Sequence, residues 1–147
     1  MNLSHFLNSA LKSDELIELF EAHDVEVVYS YDRLHQGMED QYFGSMSKLG
    51  LQFVFNCQQV LKAIFVYAHK NGEFQAANLP ELGITSFSEK ASVVAYAQEN
   101  SINYTEGAAN FLGKSLEWAK FEFSNHSVHY EYKDGALALV TLQPQNA

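Results

Sequence analysis

One pattern occurs twice in this chain, and it limits the fold more than any other feature. In residues 49–68, LGLQFVFNCQQVLKAIFVYA, Leu51, Phe53 and Phe55 alternate with Gln52, Val54 and Asn56. That two-residue period is the mark of a strand with one face on a core. The polar run Asn56-Cys57-Gln58-Gln59 breaks the alternation and residues 60–67 rebuild it, which reads as a β-hairpin. About 77 positions later, VHYEYKDGALALVTL puts Val128, Tyr130 and Tyr132 in the places of Leu51, Phe53 and Phe55, followed by Asp134-Gly135, a strong tight-turn pair. Each hairpin has a helix start upstream, at Ser13 and Ser88, about 75 positions apart. The fold expected is α+β: two tandem copies of a helix followed by antiparallel strands, packed as a single domain over 1–147 with a shared antiparallel sheet. The first copy covers about 1–70 and the second about 84–143.

A chain of 147 residues with 47% hydrophobic and 14% aromatic side chains has ample material for one packed core. Its net charge is −9, with nine bases of which Arg33 is the single arginine. A nucleic-acid binder needs clustered cations to displace counterions from phosphates, and no such cluster is present. The balance suits a basic protein partner instead. Cys57 is the one cysteine, so neither an internal disulfide nor a multi-thiolate metal site is expected. The first residues lack a basic, then apolar, secretory pattern, and no apolar run approaches the ~20 residues that span a bilayer. No membrane association and a cytoplasmic location are expected.

Along the chain, Leu3, Phe6, Leu7, Ala10 and Leu11 have the spacing of a short amphipathic helix. From Ser13 a second helix turns Leu16, Ile17, Phe20 and His23 inward and leaves Asp14, Glu15, Glu18 and Glu21 as an acidic outer side. Residues 25–31 read as a strand with Val25, Val27, Tyr29 and Tyr31 on one side. Residues 32–48 read as a loop insertion, with Gly37 and Gly44 permitting bends. After the turn-rich 69–82, the helix from Ser88 presents Ala91, Val94, Ala95 and Gln98 on one side, with Val93 and Tyr96 close by. Residues 100–113 are polar and without pattern, and 116–123 form a strand carrying Trp118.

Chemistry is sparse. His126 and His129 are three apart on a strand, hence on opposite faces, and no metal site or cofactor is expected. No nucleophile elbow, phosphate-binding glycine loop or activated thiol is present, and no catalytic residue is assigned. The 32–43 insertion concentrates what remains: Asp32, Arg33, His35, Glu39, Asp40, Tyr42 and Phe43. Function gathers on loops held by a rigid scaffold. These seven are the expected partner-binding set, charged groups engaging a partner's site around an aromatic anchor. The same loop leaves an enzymatic alternative, a small metal-free hydrolase or nuclease using His35 with Glu39 or Asp40. A second alternative is a non-catalytic, self-associating adaptor domain.

The phrases YDRLHQGMEDQYF, LGLQFVFNCQQVLKAIFVY, LPELGITSFSEKASVVAYAQEN and HSVHYEYKDGALALVTL, in this order, resemble small cytosolic immunity proteins encoded beside bacterial polymorphic toxins of the contact-dependent or type VI secretion kind. The tandem layout is also similar to that of the β-lactamase inhibitor protein, which binds its target on a concave sheet. The present chain, with its single cysteine, shares with that inhibitor the architecture alone. The resemblance implies a protein that binds and neutralises one cognate toxin domain, a basic nuclease domain by charge, with no turnover and no cofactor. Homo-oligomerisation is left open.

Overall fold

The computed structural model describes residues 1–30 and 40–145, and within them one antiparallel sheet of eight strands organises everything else. The strands are β1 (Val27–Ser30), β2 (Gln41–Met46), β3 (Leu51–Phe55), β4 (Leu61–Tyr67), β5 (Tyr104–Phe111), β6 (Lys114–Glu122), β7 (His126–Lys133) and β8 (Ala136–Pro144). Their order is β1-β2-β3-β4-β8-β7-β6-β5, so each group of four is a meander of sequential neighbours and the groups meet where β4 pairs with β8. Two α-helices, α1 (Asp14–Ala22) and α2 (Lys90–Glu99), precede the two groups. No helix among the described residues is long and apolar enough to cross a membrane.

The turns explain why the strands fold back where they do. The Asn56 side chain accepts hydrogen bonds from the backbone N–H of Gln58 and Val60, each at 3.0 Å, and this closes the first hairpin. Asp134-Gly135 and Leu112-Gly113 both hold left-handed backbone at two successive residues, the two-residue turn whose twist matches its flanking strands.

One face of the sheet carries the core. Phe20 of α1 sets its ring edge-on to Phe53 and Phe55, with centroids 5.3 and 6.1 Å away. The register continues this face through Phe53↔Ile64, Ile64↔Leu142, Val128↔Leu142, Tyr130↔Val140 and Ala119↔Tyr130. Each fully buried ring or branched side chain contributes about 1.5–3 kcal/mol. Over the second group, Val93 and Ala97 of α2 are buried against the sheet, and Phe87 packs between Phe121 and Tyr130. The hydroxyls of Tyr130 and Tyr132 donate to the carbonyls of Thr85 and Phe87, both at 2.8 Å, and so pin the strand-like approach to α2.

Several expectations change. Leu3 to Leu11 is not a helix: a 3₁₀ turn, Leu3–Phe6, is followed by backbone that pairs with the start of β4, Asn8 N–H with Leu61, Leu11 N–H with Gln59 and Leu61 N–H with Ser9. Those carbonyls and amides outbid the helical spacing of the side chains. In α1 only Leu16 and Phe20 are buried; Ile17 and His23 are exposed, because nine residues allow one narrow stripe. The helix from Ser88 begins one residue later, with Glu89 as N-cap, and turns Val93 and Ala97 inward while Ala91, Ala95 and Gln98 are exposed. Residues 41–46 are strand β2, so Gly44 sits mid-strand and makes no bend. Residues 104–111, read as patternless, are strand β5.

Candidate functional site

Both helices lie on one side, so the other side of the sheet is the surface the fold leaves for contact. Register places Phe43 beside Val54, Val54 beside Ala63, and Phe65 beside Thr141 on this open face, with Tyr67 beside Leu139. It continues with His129 beside Thr141 and Lys120 beside His129, and with Trp118 beside Glu131 and Gly107. Val54, Ala63 and Thr141 are buried by their neighbours, while Phe43, Phe65, Tyr67, Leu139, Trp118 and His129 are half-buried. A row of this kind has the aromatic composition of an interface core.

Its two halves differ in charge. The described open-face positions of β1 to β4, among them 28, 43, 45, 52, 54, 63, 65 and 67, carry no charge. On the other half Lys120 Nζ lies 3.4 Å from Glu122 Oε1, both part-exposed, and Glu131 adds a second acid. Trp118 stacks on His129 at 5.4 Å and 25°. Burial holds the His129 imidazole below its ordinary pKa; Glu131 opposes that shift and Lys120 adds to it. His129 is therefore neutral near pH 7 and serves as a flat, polar-edged ring. At the far end of the neutral half, Phe74 stacks on Tyr67 at 4.4 Å, and burial, then the nearby Glu73 carboxylate, raise the Tyr67 hydroxyl pKa.

Of the seven residues expected to bind a partner, Asp32, Arg33, His35 and Glu39 lie outside the described residues. Asp40, Tyr42 and Phe43 are described, and strand alternation separates them. Tyr42 shares the helix side with Phe55 and packs against the core, whereas Phe43 faces the open side. Asp40 accepts a 2.6 Å hydrogen bond from the Tyr29 hydroxyl, and the Tyr29 and Tyr42 rings lie 4.9 Å apart. Trp118, His129, Phe65 and Leu139 were not anticipated. The signal for β4 was present in AIFVY, residues 63–67, an apolar run that points to a strand with two apolar faces.

His126 and His129 do fall on opposite faces of β7, facing Pro144 and Thr141 in alternate phase. Among the described residues no three His, Cys, Asp or Glu side chains converge to hold a metal ion. One surface hollow of about 680 Å³ lies beside the β7–β8 turn; Ala, Ser and Pro residues dominate its lining and His69 is its single titratable side chain. It offers no acid–base pair. In comparisons with known proteins, no family model, no curated protein and no solved structure matches the chain.

Proposed function

We propose that this chain is an immunity protein, a cytoplasmic inhibitor that binds and neutralises a cognate bacterial toxin domain without turnover. The observation that carries the reading is the open sheet face, an aromatic surface that both helices leave uncovered and that a rigid eight-stranded scaffold holds in place. Phe65 and Trp118 are its anchors, Lys120, Glu122 and Glu131 its orienting charges, and Phe43 carries it onto β2. We read the two helix-plus-four-strand groups as copies of one unit, which gives the protein a sheet twice as wide as either copy supplies. A net charge of −9 favours a basic partner such as a nuclease domain, drawn in by long-range attraction.

The test is co-purification of the tagged chain from its native host at low salt, followed by binding kinetics with the purified partner. The reading requires a single stoichiometric partner whose toxicity the chain abolishes, with an on-rate that falls as salt rises. It also requires that Trp118→Ala or Phe65→Ala weaken binding at least about 30-fold, roughly 2 kcal/mol as for an interface hot spot. A partner held with undiminished affinity by both variants would exclude the sheet face as the contact.

A further inference from the structure

We propose that the chain forms a two-fold dimer in which β5 pairs antiparallel with β5 of a second copy. This goes beyond the inhibitor reading and does not rest on it.

The edge strand carries the argument. β5 is eight residues long, and among the described residues no strand pairs with its outer side. The two-residue turn Leu112-Gly113 closes on the pair Phe111↔Lys114, and the Glu122 N–H donates to the Asn103 carbonyl at the other end. Antiparallel alternation then points the amides and carbonyls of Glu106, Ala108 and Asn110 away from β6. Proteins normally blunt such an edge with lysine, proline or a bulge. β5 contains no lysine or proline, and its register with β6 is unbroken. Its one charge, Glu106, is already neutralised by Lys90 Nζ at 3.3 Å.

The hairpin tip adds an independent observation. Phe111 and Leu112 are 75% and 85% exposed, the most exposed of the large apolar residues, and they are adjacent. Leu112 also holds φ +52°, a left-handed conformation that leucine disfavours and that Gly or Asn adopts readily. A strained, solvated leucine at the end of an unguarded edge calls for a covering surface.

A second copy supplies it, because the strand is complementary to itself. With Ala108 on the two-fold axis, the outward-facing groups of each strand meet those of the other. Glu106 then lies opposite Asn110 of the second copy, Thr105 opposite Phe111, and Tyr104 beside Leu112. No like charges oppose one another, and both exposed apolar residues gain a neighbour. The opposite edge is a poorer template: β1 has four residues against eight in β5. An edge contact of this length sits at the small end of specific interfaces, so a dissociation constant of about 1–100 μM is expected.

Sedimentation equilibrium of the full chain over about 1–300 μM tests it, and the expected result is a reversible shift from monomer to twice the monomer mass. Leu112→Asn suits the left-handed turn, so its thermal midpoint should hold or rise while the dimer dissociation constant increases at least about tenfold. Ala108→Pro alters an outward-facing N–H and should abolish the dimer, whereas Val28→Lys on the β1 edge should leave it intact. The amides of Glu106, Ala108 and Asn110 should exchange more slowly at high concentration than at low. A chain that remains monomeric throughout overturns the proposal, as does a dimer indifferent to both β5 variants.

Discussion

Gly44 on β2 and Gly107 on β5 do the same job on opposite faces of the sheet. A methyl group at Gly44 would lie 3.0 Å from the Phe20 ring, so the missing side chain is what lets α1 seat an aromatic against the strands. A methyl group at Gly107 would lie 2.6 Å from the Trp118 indole, on the side the helices leave open. In the first half the ring completes the core. In the second half the ring is laid flat across an outer strand and held at the surface. Packing of the same kind thus serves cohesion in one place and presentation in the other.

Removing each ring tests that contrast most directly. Phe20→Ala should cost about 3–5 kcal/mol, since it empties a site against Phe53 and Phe55. Trp118→Ala should cost about 1 kcal/mol or less in urea unfolding, because the ring is half in water already. Equal losses from the two would show that Trp118 is a core residue and would erase the distinction.

Next in size is Tyr132→Phe, expected to lose about 1–3 kcal/mol because the Phe87 carbonyl is left without its donor. The Tyr132 hydroxyl is pushed up to about 12 by burial, from an ordinary value of 10.0. Between pH 10 and 12 the unfolded chain has released this proton and the folded chain retains it. Stability from this group is therefore full below pH 10 and lost as pH rises through about 12. Stability measured across that window should fall more steeply for the parent protein than for Tyr132→Phe; parallel curves would place the alkaline sensitivity elsewhere.

Gly107→Ala acts on the indole from the opposite strand. The added methyl forces the indole off its seat, and with one tryptophan in the chain the fluorescence reports on Trp118 alone. A red-shifted emission with a stability change under about 1 kcal/mol is expected. Unchanged emission would mean that β5 moves and the ring stays.

The smallest effect expected comes from His126 and His129, whose pKa values burial lowers below 6.5. Below pH 6.5 the unfolded chain takes up protons before the folded chain does, so stability should decline as pH falls from 6.5 through the lowered values. His129→Gln should flatten part of that slope in thermal scans, and an unchanged slope would assign it to the carboxylates.

The sheet was legible wherever residues alternate. β3, β4, β7 and β8 lie in the two hairpins read from pattern alone, because their core-facing side chains are large and regularly spaced. β5 escaped because TEGAAN has neither bulk nor alternation; its structure comes from β6, to which it pairs over its whole length. α2 misled in the opposite way. Val and Ala occur all round it, so several stripes look equally apolar and only contact with the sheet decides among them. The open face could not be read locally at all. Trp118 and His129 stand eleven positions apart, and meet through the register of β6 on β7 rather than through any motif.

The join between β4 and β8 also shapes how the molecule comes together in time. Val66 meets Val140 and Tyr67 meets Leu139, contacts that close about half of the chain into a loop, whereas every other strand pair links sequence neighbours. Loop closure of that span is entropically slow, so the two meanders should organise first and the join zip last. Val140→Ala should accordingly accelerate unfolding and leave the refolding rate nearly unchanged in a stopped-flow denaturant series. Slowed refolding would instead put Val140 in the folding nucleus, through the join or through its β7 partner Tyr130. A late join confines the risk to a brief stage in which four edges are exposed rather than two, and one of those edges, the apolar strand IFVY, is the most hazardous to leave unpaired.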